Sequence, residues 1–349
     1  MFRAAVVLLV ALAGVASAQD RSYLDVELQL GEDRPRHDPQ HGTLSIASTG
    51  TVAVALERSI LITDRLGRTK GRAAFPAAER ALGLVCVVAI DDRDIAVLYR
   101  YAGKAAKRGL VLFRHGTDGR LKRERQIAEA DLDVAQCTAT RDHALLLLGS
   151  AGGHAWWLSK VSIDGGRVFE ARSTGRPPER IAAMAARPAG HWFALIQRLD
   201  VEGAKPDWYL HHYVDGKPKE QLRLGISRGG YAAAMFGDGG VIAATDDTLY
   251  FIDDLGSITR EASWPFHSTG TIIPGDDGFW AIVGLGDEIP SRLVRVNDKG
   301  DIRFRHPPMR IAGIARAPEN QIAVVAVSED GREARLLRFD HRSGVEHLP

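Results

Sequence analysis

Short apolar runs, each a few residues long, alternate with turns rich in Asp, Asn, Gly and Pro along nearly the whole chain. No apolar stripe keeps a 3.6-residue period over three turns, so residues 43–349 read as strands without a helix. One pattern recurs seven times: a short apolar strand, an Asp- or Asn-bearing turn ending in Gly, and a second strand. The instances are Ser59–Gly67, Leu110–Gly119, Trp156–Gly165, Trp208–Gly216, Leu249–Gly256, Leu293–Gly300 and Leu336–Gly344. Asp or Asn bonds the turn backbone, and Gly supplies the positive φ that a tight hairpin demands. The closing glycines lie 52, 46, 51, 40, 44 and 44 residues apart. Units of about 40–50 residues fit four short strands, the content of one propeller blade.

A second hairpin precedes the first in the unit, as in Ile181–Gly190 into His191–Ile196, Tyr231–Gly240 into Val241–Ala244, Ile272–Gly278 into Phe279–Val283 and Ile311–Asn320 into Gln321–Val325. The leading strand of each pair is rich in Ala and Gly, as a strand crowding a central axis requires. The next is more continuously apolar, as a strand buried on both faces should be. The expected fold is all-β: a single seven-bladed β-propeller of four-stranded antiparallel blades. The blades are placed at about 43–76, 80–128, 131–173, 180–224, 228–264, 267–307 and 310–349. Little chain follows Gly344, whereas Tyr23–Leu30 is a spare alternating strand. It is expected to close the ring as the outer strand of the last blade, removing an exposed ladder edge.

The first residues change the picture of where the fold works. Arg3, the apolar run Ala4–Val15 and the small residues Ala16-Ser17-Ala18 have the layout of a secretory signal peptide, residues 1–18, cleaved before Gln19. The run is too short for a bilayer span of about 20 residues, and no later stretch is long and apolar enough. Residues 19–349 are therefore expected in a periplasm or outside the cell, as a monomer. With 45 basic and 44 acidic side chains there is no basic footprint for nucleic acid. The two cysteines, Cys86 and Cys137, are no disulfide framework. Both fall on innermost strands of neighbouring blades. The compartment favours a bridge, but the short Cα separation it needs is tight for such strands, and two buried free thiols are the favoured reading.

Thr140–Gly149 with Trp156–Gly165, and Asp276–Gly284 with Leu293–Ile302, resemble the bacterial propeller repeats that read roughly "DGGyilaG…wlvKlDxdGxvxW". Trp264 matches the terminal Trp. Similar repeats occur in the quinoprotein-like and related propeller superfamilies. The resemblance spans about 43–349 and implies the architecture. It carries over no catalytic residue, since these families share blades and not active sites. Blade one, with Leu66-Gly67 and no Trp, departs from it, and so does blade five, which lacks the Lys.

Loops that join blades share one face with the channel opening, where ligand sites concentrate. Arg80, Arg180, Arg228 and Arg310 each precede an innermost strand, with His267 and His41 in similar places and Asp133 in blade three. Converging guanidiniums suit a carboxylate or phosphate. The plainer alternative pairs each Arg with a local acid such as Glu79 or Glu179, or leaves it in solvent. His37 and His41 lack a third metal ligand nearby, so no metal is expected. His211 and His212, adjacent in a strand, point to opposite faces. The tryptophans read as packing between blades, and the long Lys-bearing loops 101–108 and 200–207 as a rim for a partner. No phosphate loop, nucleophile elbow or zincin helix is present, and no cofactor is expected. The expected function is a binding or interaction scaffold for a protein or small anionic ligand, its site at the channel mouth. The alternative is a propeller enzyme acting on a polar or anionic substrate there.

Overall fold

The computed structural model describes residues 24–36, 44–74, 84–92, 94–102, 108–115, 121–129, 132–140, 143–151, 155–164, 166–173, 178–186, 191–198, 207–214, 217–224, 232–235, 240–245, 247–255, 257–266, 268–275, 278–284, 292–297, 300–305, 310–318 and 321–340. Among them the strands form seven four-stranded antiparallel sheets and no helix. Sheet one holds Leu44–Ile46 (β2), Val52–Ala55 (β3), Ser59–Thr63 (β4) and Thr69–Ala74 (β5). Sheet two holds Leu84–Ala89 (β6), Ile95–Ala102 (β7), Arg108–His115 (β8) and Leu121–Glu129 (β9). Sheet three holds Leu132–Ala139 (β10), Ala144–Ala151 (β11), Trp156–Ser162 (β12) and Arg167–Arg172 (β13). Sheet four holds Glu179–Ala186 (β14), His191–Arg198 (β15), Asp207–Val214 (β16) and Lys217–Leu224 (β17). Sheet five holds Ala232–Met235 (β18), Val241–Ala244 (β19), Thr248–Ile252 (β20) and Ile258–Ser263 (β21). Sheet six holds Ser268–Gly275 (β22), Gly278–Gly284 (β23), Arg292–Asn297 (β24) and Ile302–Arg305 (β25). Sheet seven holds Arg310–Ala317 (β26), Gln321–Val327 (β27) and Ala334–Asp340 (β28), with Leu24–Glu27 (β1) paired antiparallel to β28.

Turn chemistry builds the outer hairpins. Asp64 Oδ1 accepts from the backbone N–H of Leu66 (2.8 Å) and Arg68 (2.9 Å), and Gly67 takes φ 78°. Asp253 repeats this with Leu255 (3.0 Å) and Ser257 (2.7 Å). The carboxylate replaces water on the turn N–H groups, and glycine absorbs the left-handed residue.

The core is not central. Among the described residues, seven buried apolar clusters each join two successive sheets, the last joining sheet seven to sheet one. This explains the apolar runs of the second strands. In β11, Leu145 and Leu147 pack toward sheet two while Leu146 and Leu148 pack toward sheet four. Side chains alternate faces at period two, so a strand sandwiched between sheets must be apolar at every position. Accordingly β3, β19, β23 and β27 are buried throughout, whereas the fourth strands β5, β17 and β21 are mostly exposed or half-exposed.

The first strands of successive sheets line the axis, and there the cysteines correct an expectation. Cys86 of β6 and Cys137 of β10 form a disulfide rather than two free thiols, with Cα atoms 6.6 Å apart. Strands of adjacent sheets converge toward the axis, so the innermost pair comes within the reach of about 4.4–6.8 Å that a bridge needs.

Candidate functional site

Of the side chains expected at the channel mouth, Arg80, Arg228, His267 and His41 lie outside the described residues. Arg180 and Asp133 are second residues of first strands, opposite Gln197 and Ser150. Arg310 opens β26 opposite Val327 and is exposed. Three of the seven thus have backbones at the starts of first strands. The His37–His41 pair, residues 103–107 of the first rim loop and residues 200–206 of the second also lie outside the described residues.

A charged network is instead built at the same strand ends of sheet four. Register places Glu179 of β14 beside Arg198 of β15, and Arg198 beside Asp207 of β16. Arg223 of β17 stands opposite Tyr209. Glu179 Oε1 accepts from Arg198 Nε (3.2 Å) and Nη2 (3.0 Å). Arg198 Nη1 donates to the Tyr209 hydroxyl at 3.1 Å, and its guanidinium lies 4.3 Å from the Tyr209 ring centroid. Arg223 Nη2 donates to both Asp207 oxygens, at 2.8 and 2.9 Å, and these bonds hold its pKa above the ordinary value. Charge alternates along the row. Side-chain exposure rises outward from 10% at Glu179, through 32% at Arg198 and 34% at Asp207, to 68% at Arg223. The inner end is a fixed ion pair; the outer end presents an arginine to solvent.

The inner end is tied to sheet three. Trp156 of β12 donates its indole N–H to Glu179 Oε2 at 3.0 Å. Glu179 therefore takes a tryptophan from the neighbouring sheet and Arg198 from its own. Tyr209, His211 and Tyr213 follow at alternate positions of β16. The Tyr213 hydroxyl lies 3.2 Å from His211 Nδ1, and its ring meets Trp156 edge-on at 6.1 Å. Burial pushes the Tyr213 hydroxyl well above the usual tyrosine range, with Glu179 adding to it. Burial, aided by Arg198 and opposed by Glu179, lowers the His211 pKa. His212 leaves on the other face, toward a groove of about 230 Å³ that it lines with Leu222, Asp254 and the exposed Leu255.

At the far ends of the first strands a second set of contacts joins sheets. Thr51 donates to Asp92, with Lys70 3.7 Å away, and His143 lies 3.6 Å from Asp91. The Thr51 hydrogen bond is the main cause of a lowered Asp92 pKa. Among the described residues no three His, Cys, Asp or Glu side chains gather to hold a metal ion, and no helix is long and apolar enough to cross a membrane.

Arg198, Tyr209, Tyr213 and Arg223 escaped the sequence reading. Their signal was present as Asp207-x-Tyr209-x-His211-x-Tyr213, a polar and aromatic face at period two in a strand between two sheets.

No family model matches the chain, and no curated protein does. Solved structures do. A chain of the mitotic checkpoint complex superposes with a TM-score of 0.60 at 12% identity, over 92% of this chain and 95% of that one. The β-propeller domain of the Trilobed protease from Pyrococcus furiosus gives 0.58 at 11%, over 89% and 97%. The WD40 β-propeller domain of Doa1 gives 0.57 at 11%, over 90% and 97%. At such identity the likeness is one of fold: the chain is a β-propeller, and the resemblance to propeller repeats holds at that level.

Proposed function

We propose that the chain is a non-enzymatic binding scaffold of the cell envelope, released as residues 19–349 by cleavage of its leader. Its partner, a protein or small anionic ligand, docks on the face at which the first strands start. The observation that carries this reading is the Glu179–Arg198–Asp207–Arg223 row, whose outer arginine is exposed at the strand ends where Arg180 and Arg310 also stand. Guanidiniums clustered on one face recognise carboxylate or phosphate in a planar, bidentate manner. A similar propeller chain sits within the mitotic checkpoint complex, which supports use of the fold as an assembly surface.

The experiment is affinity capture from envelope extract with residues 19–349, set beside a variant with Arg80, Arg180, Arg223, Arg228 and Arg310 all changed to Ala. Loss of the captured partner is expected. An unchanged set of partners contradicts the arginine face. Mass spectrometry of the mature chain is expected to find Gln19 at its N-terminus.

A further inference from the structure

His211 is placed where a second positive charge is poorly tolerated. It lies on β16, on the face turned to sheet three, with Ala194 of β15 and Gln221 of β17 as its cross-strand neighbours. Its Nδ1 is engaged with the Tyr213 hydroxyl, and its Nε2 is buried without a hydrogen-bond partner. The rings of Tyr209 and Tyr213 flank it at 6.3 and 6.0 Å. Among the described side chains of its own sheet, the charged groups on this side are Glu179 of β14, Arg198 of β15, Asp207 of β16 and Arg223 of β17. From sheet three come Trp156, whose ring packs on Tyr213, and Lys160, which alternation places on the face shared by Trp156 and Leu158.

A neutral imidazole leaves one buried nitrogen unsatisfied, already an unfavourable arrangement. A protonated one carries a second N–H donor and a full charge into the same enclosure, near a guanidinium already held by Glu179. We infer that His211 is a pH-sensitive latch between sheets three and four: protonation of its ring loosens their packing and frees the inner end of the charged row. The direction follows from linkage. Burial lowers the ring below its ordinary value of 6.5, so the stability it supports is present above that value and is lost as pH falls below it. Each unit of lowering removes about tenfold from the folding equilibrium constant once pH is below both values.

The test compares wild type with His211→Gln, which keeps a polar side chain but cannot titrate. Urea midpoints are measured at about pH 7.5 and about pH 5.5, the range in which histidine changes charge. The wild-type midpoint is expected to fall by more than that of the variant; parallel falls overturn the latch. Should the variant not fold, the imidazole resonance of His211 is followed by NMR in the wild type, assigned through its contacts with Tyr213. Titration below 6.5 is expected, and titration at or above 6.5 overturns it.

Discussion

Gly278 closes the hairpin between β22 and β23 with φ 134°, and a Cβ there would stand 2.1 Å from the Val296 carbonyl oxygen. That oxygen belongs to the ladder of β24 and has nowhere to move. Gly278→Ala is therefore expected to destabilise the chain by about 2–3 kcal/mol, the combined order of a strained backbone and an overpacked contact, read from the shift in urea midpoint. Glu179 gives a second expectation at this scale. Glu179→Leu removes the acceptor of both the Trp156 indole and the Arg198 guanidinium. A loss of about 2 kcal/mol is expected in chemical denaturation, the usual order for a bond to a charged group whose partner is left behind. The turn glycines were legible in the sequence because turn chemistry is local. The role of Glu179 was not, because Trp156 lies 23 residues away and becomes a neighbour only when sheets three and four stack.

At the scale of elements, strand type followed from apolar continuity. Second strands serve two clusters at once, so all of their positions are apolar, and fourth strands such as Lys217–Leu224 serve mainly solvent. What continuity does not carry is the distance between strands that never pair. Cys86 and Cys137 stand on such strands, and their approach depends on how sharply the sheets converge on the axis. The bridge closes a loop of 51 residues. Chain-entropy arguments give such a closure about 4 kcal/mol, an upper figure because the surrounding sheets already restrain β6 and β10. Cys137→Ser is expected to lower the urea midpoint under oxidising conditions and to make stability insensitive to added reductant. A reductant response equal to that of the wild type contradicts the assignment.

For the molecule as a whole, the seven clusters between sheets are the unit of stability, and the all-β propeller was legible because the same turn returned at blade length. The candidate face was only partly legible. Strand starts are visible from glycine and arginine positions, so Arg180 and Arg310 were placed at them. The network that occupies sheet four is a product of register, which sets Glu179 against Arg198 and Arg198 against Asp207. A single residue of slip in β15 would send those side chains to the opposite face. On the proposed reading, binding uses this face and not the one bearing Lys70 and His143. Hydroxyl-radical footprinting of the protein, alone and with its captured partner, distinguishes the two faces. Protection is expected for peptides carrying Arg198, Arg223 and Arg310, with those carrying Lys70 and His143 unchanged. Protection confined to the Lys70 and His143 peptides would contradict that reading.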